Sequence, residues 1–247
     1  MVHIRVAFFA VPVVIGIGVA VTACSSAPGT VKASVSATRS ASAAASGSPT
    51  VSPAETSSAA PVPAGYTRIG GAAAGISVAV PASWVAFNPT TGSIASAASK
   101  AGLSGISASA IEQDIASVQK LHGVIVFDVK FAVDSPDHFA PNLNAYCGDS
   151  GVTDVGAAGV PLIKAATSAE FAKLGATHVT QQELEVGGVP GMEISYQLKS
   201  SSVGTIYGSQ LEVLPKPDKL CAVTVTVVKG VSDGSIVSTA AATAQFP

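Results

Sequence analysis

Hydrophobic and polar positions divide the chain into three stretches. Val6–Ala20 is almost wholly apolar, Ser25–Ala64 has no leucine, isoleucine, methionine or aromatic residue, and Gly65–Pro247 carries the periodic patterns of strands and helices. The third stretch has 183 residues, which is within the usual size of one domain. We therefore expect residues 65–247 to fold as a single globular domain.

Alternation of apolar and polar residues predicts most strands of this domain. Val124–Val133 is expected to be one long half-buried strand, because every second residue in it is apolar. In Met192–Leu198, the intervening Glu193, Ser195 and Gln197 predict a solvent-facing side. The other predicted strands are Ile76–Val80, Asn142–Cys147, Thr177–Val186, Thr205–Val213 and Leu220–Val228.

Helices are predicted from their start and end signals. Ser109 and Glu112 have the spacing of a capping box, and Pro161 suits the first turn of a helix. The order of elements predicts an α/β domain in which helices pack on an antiparallel sheet. The predicted helices are Ser109–Leu121, Pro161–Leu174 and a last helix capped by Ser232 or Asp233 that runs through Phe246.

The first stretch is typical of a secretory signal, since the basic Met1–Arg5 precedes the apolar run. Val21–Cys24 then resembles the lipobox of bacterial lipoproteins, in which the cysteine takes a diacylglycerol and becomes the mature N-terminus. We expect lipidation of Cys24 with acyl chains such as palmitate, which would hold the protein on the extracytoplasmic face of the cell membrane. Residues 1–23 are then the signal peptide.

Two other interpretations of this segment stay open. Val-x-Ala before Cys24 also suits cleavage by the ordinary signal peptidase, without acylation. Val6–Ala23 is also just long enough to cross a bilayer uncleaved, although Pro12, Gly16 and Gly18 weaken a permanent helix.

Residues 24–64, the acylated cysteine and the stretch after it, have the composition of a tether. Of the 40 residues in Ser25–Ala64, 33 are serine, alanine, proline, threonine or glycine. With so little apolar surface to bury, the segment is expected to stay disordered and to span about 35 Å as a flexible coil. Its serine, threonine and proline content also makes O-glycosylation a hypothesis.

Several short motifs of the domain carry a family resemblance: Gly75–Val78, Pro81–Trp84, Phe139–Asn144, Val186–Gly191 and the terminal helix. Together they resemble the LpqN-type lipoproteins of actinobacteria. Such a resemblance implies a PsbP-like α/β/α sandwich and a docking or accessory role, and it implies no catalytic residues.

Charge and cysteines narrow the class of protein further. Residues 65–247 carry ten lysine and arginine against fourteen aspartate and glutamate residues, a net charge of −4 that argues against a nucleic-acid partner. Cys147 and Cys221 lie on predicted strands of an exported domain, so we expect them to form a disulfide. Two buried free thiols are the alternative.

Catalytic and metal motifs of the chain are better explained as turns. Cys147–Gly151 resembles the nucleophile loop of trypsin-like proteases, but His122 and His138, the candidate bases, lie too close in sequence to Ser150 for that fold. The candidate ligands Asp134, Asp137 and His138 surround a turn signature, and no further cluster completes a metal site. We expect no cofactor, no metal and no enzyme activity.

Glu183, Glu185 and His178 are expected to be surface residues on a strand. The expected function is that of a membrane-anchored binding or interaction module of the cell envelope, whose partner is an envelope protein, lipid or glycan. A lipid carrier with an apolar cavity is one alternative, and a cell-wall hydrolase without a recognisable motif is another.

Overall fold

Antiparallel strands dominate the described part of the protein. The computed structural model describes residues 60–87, 118, 120–134, 139–150, 159–200 and 204–247. Its strands are β1 (Tyr66–Gly71), β2 (Ile76–Pro81), β3 (Val85–Phe87), β4 (Val124–Phe127), β5 (Asn142–Asp149), β6 (Thr177–Val186), β7 (Val189–Ser200), β8 (Gly204–Lys216) and β9 (Lys219–Val228). Its helices are α1 (Val129–Asp134), α2 (Gly159–Lys173) and α3 (Gly234–Thr243).

Seven strands form the main sheet in the order β3-β4-β5-β9-β8-β7-β6, and β1 pairs with β2 in a separate hairpin. All of these pairs are antiparallel. The central strand β9 is buried along nearly its whole length, which its β-branched residues suit. The predicted α/β fold with an antiparallel sheet and packed helices is therefore confirmed.

One face of the sheet, here called the α3 face, carries the larger apolar core. Ile236, Val237, Ala240 and Ala241 of α3 pack on it, together with side chains of the β1–β2 hairpin and Trp84. The end of α3 also holds the β1–β2 hairpin through hydrogen bonds, since Ala79 N of β2 donates to Thr243 Oγ1 at 2.9 Å and Arg68 Nη1 of β1 donates to Thr243 O at 2.8 Å. The hairpin and the helix thus cover this face as one layer.

The opposite face, here called the α2 face, is covered in part by α2, which contacts β6, β7 and β8. Phe171 of α2 packs against Tyr196 of β7, with ring centroids 4.4 Å apart. Met192, Ile194 and Leu198 belong to the same apolar cluster. The protein is therefore layered as helix and hairpin, sheet, helix.

The cysteine pair lies between the two central strands of this sandwich. Cys147 of β5 is directly opposite Cys221 of β9 in the register, their Cα atoms are 4.0 Å apart, and their sulfurs are bonded. Both residues contact the core of the α3 face. The predicted disulfide is confirmed.

The single long strand predicted over Val124–Val133 is wrong. Strand β4 ends at Phe127, and Val129–Asp134 is the helix α1. Asp128 is the reason, because its Oδ1 accepts a hydrogen bond from Phe131 N at 3.0 Å and its own N donates to Pro141 O. A carboxylate at this position caps the first turn of a helix, and this outweighs the alternating pattern.

The last helix also differs from its prediction. It ends at Thr243, short of Phe246, and Gln245 pairs with Ser77 of β2 in an isolated bridge. Asp233 stands at the N-cap position, but its side chain makes no capping bond. Most of the predicted Ser109–Leu121 helix lies outside the described residues, although Val118 and Lys120 are helical.

The disulfide gives the first testable prediction. Replacing both cysteines (Cys147→Ala with Cys221→Ala) should lower the free energy of unfolding by about 2–5 kcal/mol, because the bond closes a loop with a sequence separation of 74 residues. Urea unfolding followed by circular dichroism measures the change. Reductant should destabilise the wild type and leave the variant unaffected, and two reactive thiols in the unreduced, denatured wild type would contradict the bond.

Candidate functional site

The proposed anchor Cys24 lies outside the described residues, as do residues 1–23 and most of the predicted tether. No helix in the described part of the chain is long and apolar enough to cross a membrane.

Ser150, the serine of the protease-like motif, is buried and has a structural role. Its hydroxyl donates to Pro217 O at 3.2 Å, and its N donates to Asp218 O at 2.8 Å. These bonds attach the end of β5 to the turn between β8 and β9. His122, one candidate base, is exposed in a left-handed conformation with φ of 54°, and His138 lies outside the described residues.

The other candidate ligands are also dispersed. Asp134 is exposed at the end of α1, whereas Asp137 and His138 lie outside the described residues. Glu183 and Glu185 are exposed on β6, as expected, and so is His178 at its start. Within the described residues, no three His, Cys, Asp or Glu side chains are grouped so as to hold a metal ion.

A buried polar network crosses the α2 face, and no sequence pattern predicted it. Glu212 of β8 is fully buried, and its carboxylate accepts hydrogen bonds from Thr167 Oγ1 of α2 at 2.8 Å and from Gln210 Nε2. Gln210 Oε1 in turn accepts a bond from Thr224 Oγ1 of β9 at 3.2 Å. The network therefore links the helix to two strands.

Burial raises the pKa of Glu212 to about 7, although the bonds from Thr167 and Gln210 act in the opposite direction. The carboxyl group is thus close to half protonated near neutral pH. A charge without a cationic partner is costly inside a protein, and the hydrogen bonds offset only part of that cost.

Two further hydroxyl groups lie buried on the same face without a hydrogen-bond partner among the described residues: Tyr196 Oη and Thr226 Oγ1. Tyr196 is opposite Gly208, and Gly208 is opposite Thr226, so the three residues form one row across β7, β8 and β9. Gly208 is required here because a Cβ atom would lie 2.1 Å from Cζ of Tyr196. Ordered water commonly satisfies such hydroxyls.

An open polar cleft lies on the α3 face, beyond the point where α3 begins. Its volume is about 490 Å³. Ser195, Gln197, Tyr207 and Ser209 supply hydroxyl and amide groups from β7 and β8, and the first residues of α3 lie at its side. The charged side chains of the lining are Glu193, Asp233 and Lys229, and His178 can also become charged.

The carboxylates of this cleft are close enough to influence each other. Partial burial raises the pKa of Glu193, the charge of Asp233 raises it further, and a hydrogen bond with Ser195 lowers it. Asp233 Oδ2 accepts a bond from Ser209 Oγ at 2.8 Å, which explains why this side chain does not cap α3. The cleft therefore offers hydrogen-bond acceptors and hydrogen-bond donors side by side.

A second cleft of about 440 Å³ lies at the disulfide end of the domain. Lys120, Lys216, Lys219 and His122 line it, together with the disulfide. Lys219 forms an ion pair with Asp149, which lowers the pKa of that carboxyl and raises the pKa of the lysine. Both partners are well exposed, so the pair contributes little stability.

Sequence reasoning found part of these sites. The predicted solvent-facing side of Met192–Leu198 is the floor of the cleft beside α3. Gln210 and Glu212 were missed because polar residues that alternate along a strand are typical of a solvated face. Asp233 was predicted to cap a helix, and no sequence signal placed it beside Glu193.

The Glu212 network gives the second prediction. Between the unfolded pKa near 4.5 and the folded pKa of about 7, the folded protein binds more protons, so its stability falls as the pH rises through this range. The loss is on the order of 3 kcal/mol, and Glu212→Gln should remove it. Urea unfolding at about pH 5 and pH 8 measures the difference, with the exposed Glu183→Gln as a matched control. An unchanged pH dependence in Glu212→Gln would contradict the assignment.

No family model matches this chain, and no curated protein matches it. A solved structure from Bacteroides thetaiotaomicron VPI-5482 is similar at 10% identity and a TM-score of 0.44, over 74% of this chain and 49% of that one. PA94 of Pseudomonas aeruginosa, a protein of unknown function, is similar at 13% identity and a TM-score of 0.27, over 37% and 60%.

Cyanobacterial PsbP from Synechocystis sp. PCC 6803 is similar at 13% identity and a TM-score of 0.40, over 75% of this chain and 94% of that one. The chain thus spans about half the length of the Bacteroides protein and 60% of PA94. All three TM-scores are below 0.5. The topology of this chain itself gives the fold class: α/β, with helices on an antiparallel sheet.

Proposed function

We propose that this protein is an LpqN-type lipoprotein with a PsbP-like fold. Cys24 anchors it to the extracytoplasmic face of the cell membrane, and its domain acts as a binding module of the cell envelope. The motifs that resemble the family support the first part of the proposal. Its ligand is a glycan of the envelope, bound in the cleft between β7, β8 and the start of α3.

The anchoring part of the proposal rests on the order of the N-terminal segments. A basic start, an apolar run and a small residue before Cys24 are together typical of an acylated signal. Two acyl chains give stable attachment, where one shorter chain would give only reversible binding. The disulfide is consistent with export, since such bonds persist in oxidising compartments.

One observation carries the binding part: the α3 face is apolar under α3 and polar beyond it. Leu211 and Val213 lie in the apolar core. Farther along the same strand and face, Ser209 and Tyr207 line the open cleft, and Tyr207 also packs against the edge of the core. Support of α3 does not require the polar side chains that lie beyond it on this face. Hydroxyl, amide and carboxylate groups around a tyrosine ring suit a hydroxyl-rich ligand.

The same chemistry favours a glycan over a lipid tail. An acyl chain needs an apolar cavity, and serine, glutamine and carboxylate side chains line the cleft beside α3. The lipid-carrier alternative therefore has less support from the described residues.

Anchoring gives the third prediction. Cys24→Ser should remove the acyl mass from the protein in intact mass spectrometry, because no acyl chain can then be attached. Ser25→Ala, one residue beyond, should keep the acyl mass. The mature wild type should have the mass of a diacylated chain that begins at Cys24. A mature mass without acyl chains would contradict this part of the proposal.

Glycan binding gives the fourth prediction. The full-length protein in neutral detergent should bind at least one member of a panel of soluble cell-wall oligosaccharides in calorimetry. Ser195→Ala with Gln197→Ala should weaken that binding by roughly tenfold, as expected for two lost hydrogen bonds. Gln182→Ala, an exposed position on β6 outside the cleft, is the matched control. Equal binding by the two variants would remove the cleft from the proposal.

A cell-wall hydrolase is the second candidate, favoured by one observation. Glu193 and Asp233 share the cleft, and the pKa of Glu193 is raised, as the acid of a carboxylate pair requires. Mass spectrometry of the bound oligosaccharide separates the two functions. An intact ligand supports the binding module, whereas cleavage that Glu193→Gln abolishes supports the hydrolase.

A further inference from the structure

The two edges of the main sheet differ sharply in length. At one edge, β3 has three residues, and at the other, β6 has ten. An edge strand presents unpaired N–H and C=O groups that can pair with another chain, and proteins usually keep such strands short or protect them. Strand β6 is therefore unusually long for an edge strand.

The outer side of β6 is accessible. Seven of its ten residues are exposed, and the segment contains neither proline nor lysine, the residues that most often protect an edge. Its register with β7 is irregular only between Thr177 and Thr180. Among the described residues, no backbone hydrogen bond joins Gln181–Val186 to any element other than β7.

The exposed charges of this edge are both negative. Glu183 and Glu185 lie two residues apart, so both side chains are on the same face of the sheet. Within the described part of the chain, neither forms an ion pair. Gln181, on the same face, is held by α2 through bonds from its Nε2 to Lys164 O and Ser168 Oγ. The part of β6 that α2 leaves free therefore begins after Gln181.

The charges also disfavour the simplest occupant, a second copy of this chain. Two β6 strands paired antiparallel about Leu184 would place Glu183 of each copy opposite Glu185 of the other. Like charges directly opposite on neighbouring strands are destabilising. A strand with lysine or arginine at those positions would instead form favourable cross-strand pairs.

We propose that β6 is a docking edge for an extended segment of a protein partner, one that carries alternating lysine or arginine residues. The segment adds an eighth strand next to β6. Main-chain hydrogen bonds to Gln181–Val186 supply affinity, and Glu183 and Glu185 select the basic residues.

The docking edge deepens the proposed function. It rests on that function in one respect only, since both describe the protein as an interaction module. The docking edge and the glycan cleft are separate surfaces. Failure of the peptide experiment below would remove the edge and leave the cleft, whereas failure of the oligosaccharide titration would do the reverse.

The test uses the full-length protein in neutral detergent and short synthetic peptides. One peptide alternates lysine with valine, one alternates glutamate with valine, and one is the lysine peptide with alternate backbone amides methylated. Hydrogen exchange read by mass spectrometry reports protection of β6, and fluorescence anisotropy reports affinity. The lysine peptide should protect Gln181–Val186, and the other two should not.

Charge reversal makes the test specific. Glu183→Lys with Glu185→Lys should weaken the lysine peptide by on the order of tenfold and create binding of the glutamate peptide. Asp134→Lys with Asp218→Lys makes the same charge change at two exposed positions away from β6, and it should alter neither affinity.

Three results would overturn the proposal. The first is a lack of β6 protection by the lysine peptide. The second is equal binding of the methylated peptide, which cannot form the strand hydrogen bonds. The third is β6 protection that rises with protein concentration without any peptide, since this would identify a second copy as the occupant.

Discussion

The pairing of β5 with β9 is the constraint on which both faces of the sheet depend. Cys147 lies opposite Cys221, and the disulfide between them fixes this register. With it in place, Leu143 and Val225 face the apolar core, while Asn144 and Thr224 face the other way. A slip by one residue would exchange these sets and place amides and hydroxyls under α3. The covalent bond therefore keeps the apolar side chains on one face and the polar side chains on the other, which backbone hydrogen bonds alone would not ensure.

The two faces use this distinction differently. On the α3 face, alanine and valine side chains let the helix approach closely, and the polar side chains of the cleft lie beyond the start of the helix. On the α2 face, Glu212 and Thr167 join sheet and helix through a buried polar contact. Such a contact adds little net stability, because the desolvation of a carboxylate opposes it. It does fix where α2 lies, since any other position would leave Glu212 with fewer partners.

Sequence patterns predicted the elements well wherever one physical signal acted alone. Strand β7 follows its alternation, and the two cysteines, both placed on predicted strands, form the expected bond. Patterns failed where two signals competed. Val129–Asp134 alternates like a strand, but the Asp128 cap makes it a helix. Asp233 has the position of a cap, but its carboxylate accepts the Ser209 bond instead. Glu212 shows a further limit of sequence patterns. The periodicity of a strand predicts on which face of the sheet a residue lies, but it does not predict what covers that face.

An anchor and a tether change what such a domain needs in order to bind. The tether predicted for residues 24–64 would confine the domain to about 35 Å from its membrane attachment. A partner held in the same layer would meet it at an effective concentration in the millimolar range. An open polar cleft and an edge strand offer only modest affinity, because neither buries a large apolar area. Confinement makes modest affinity sufficient, and it leaves the domain free to release one partner and take another. The open, polar character of both surfaces is therefore what the proposed anchoring at Cys24 would lead one to expect.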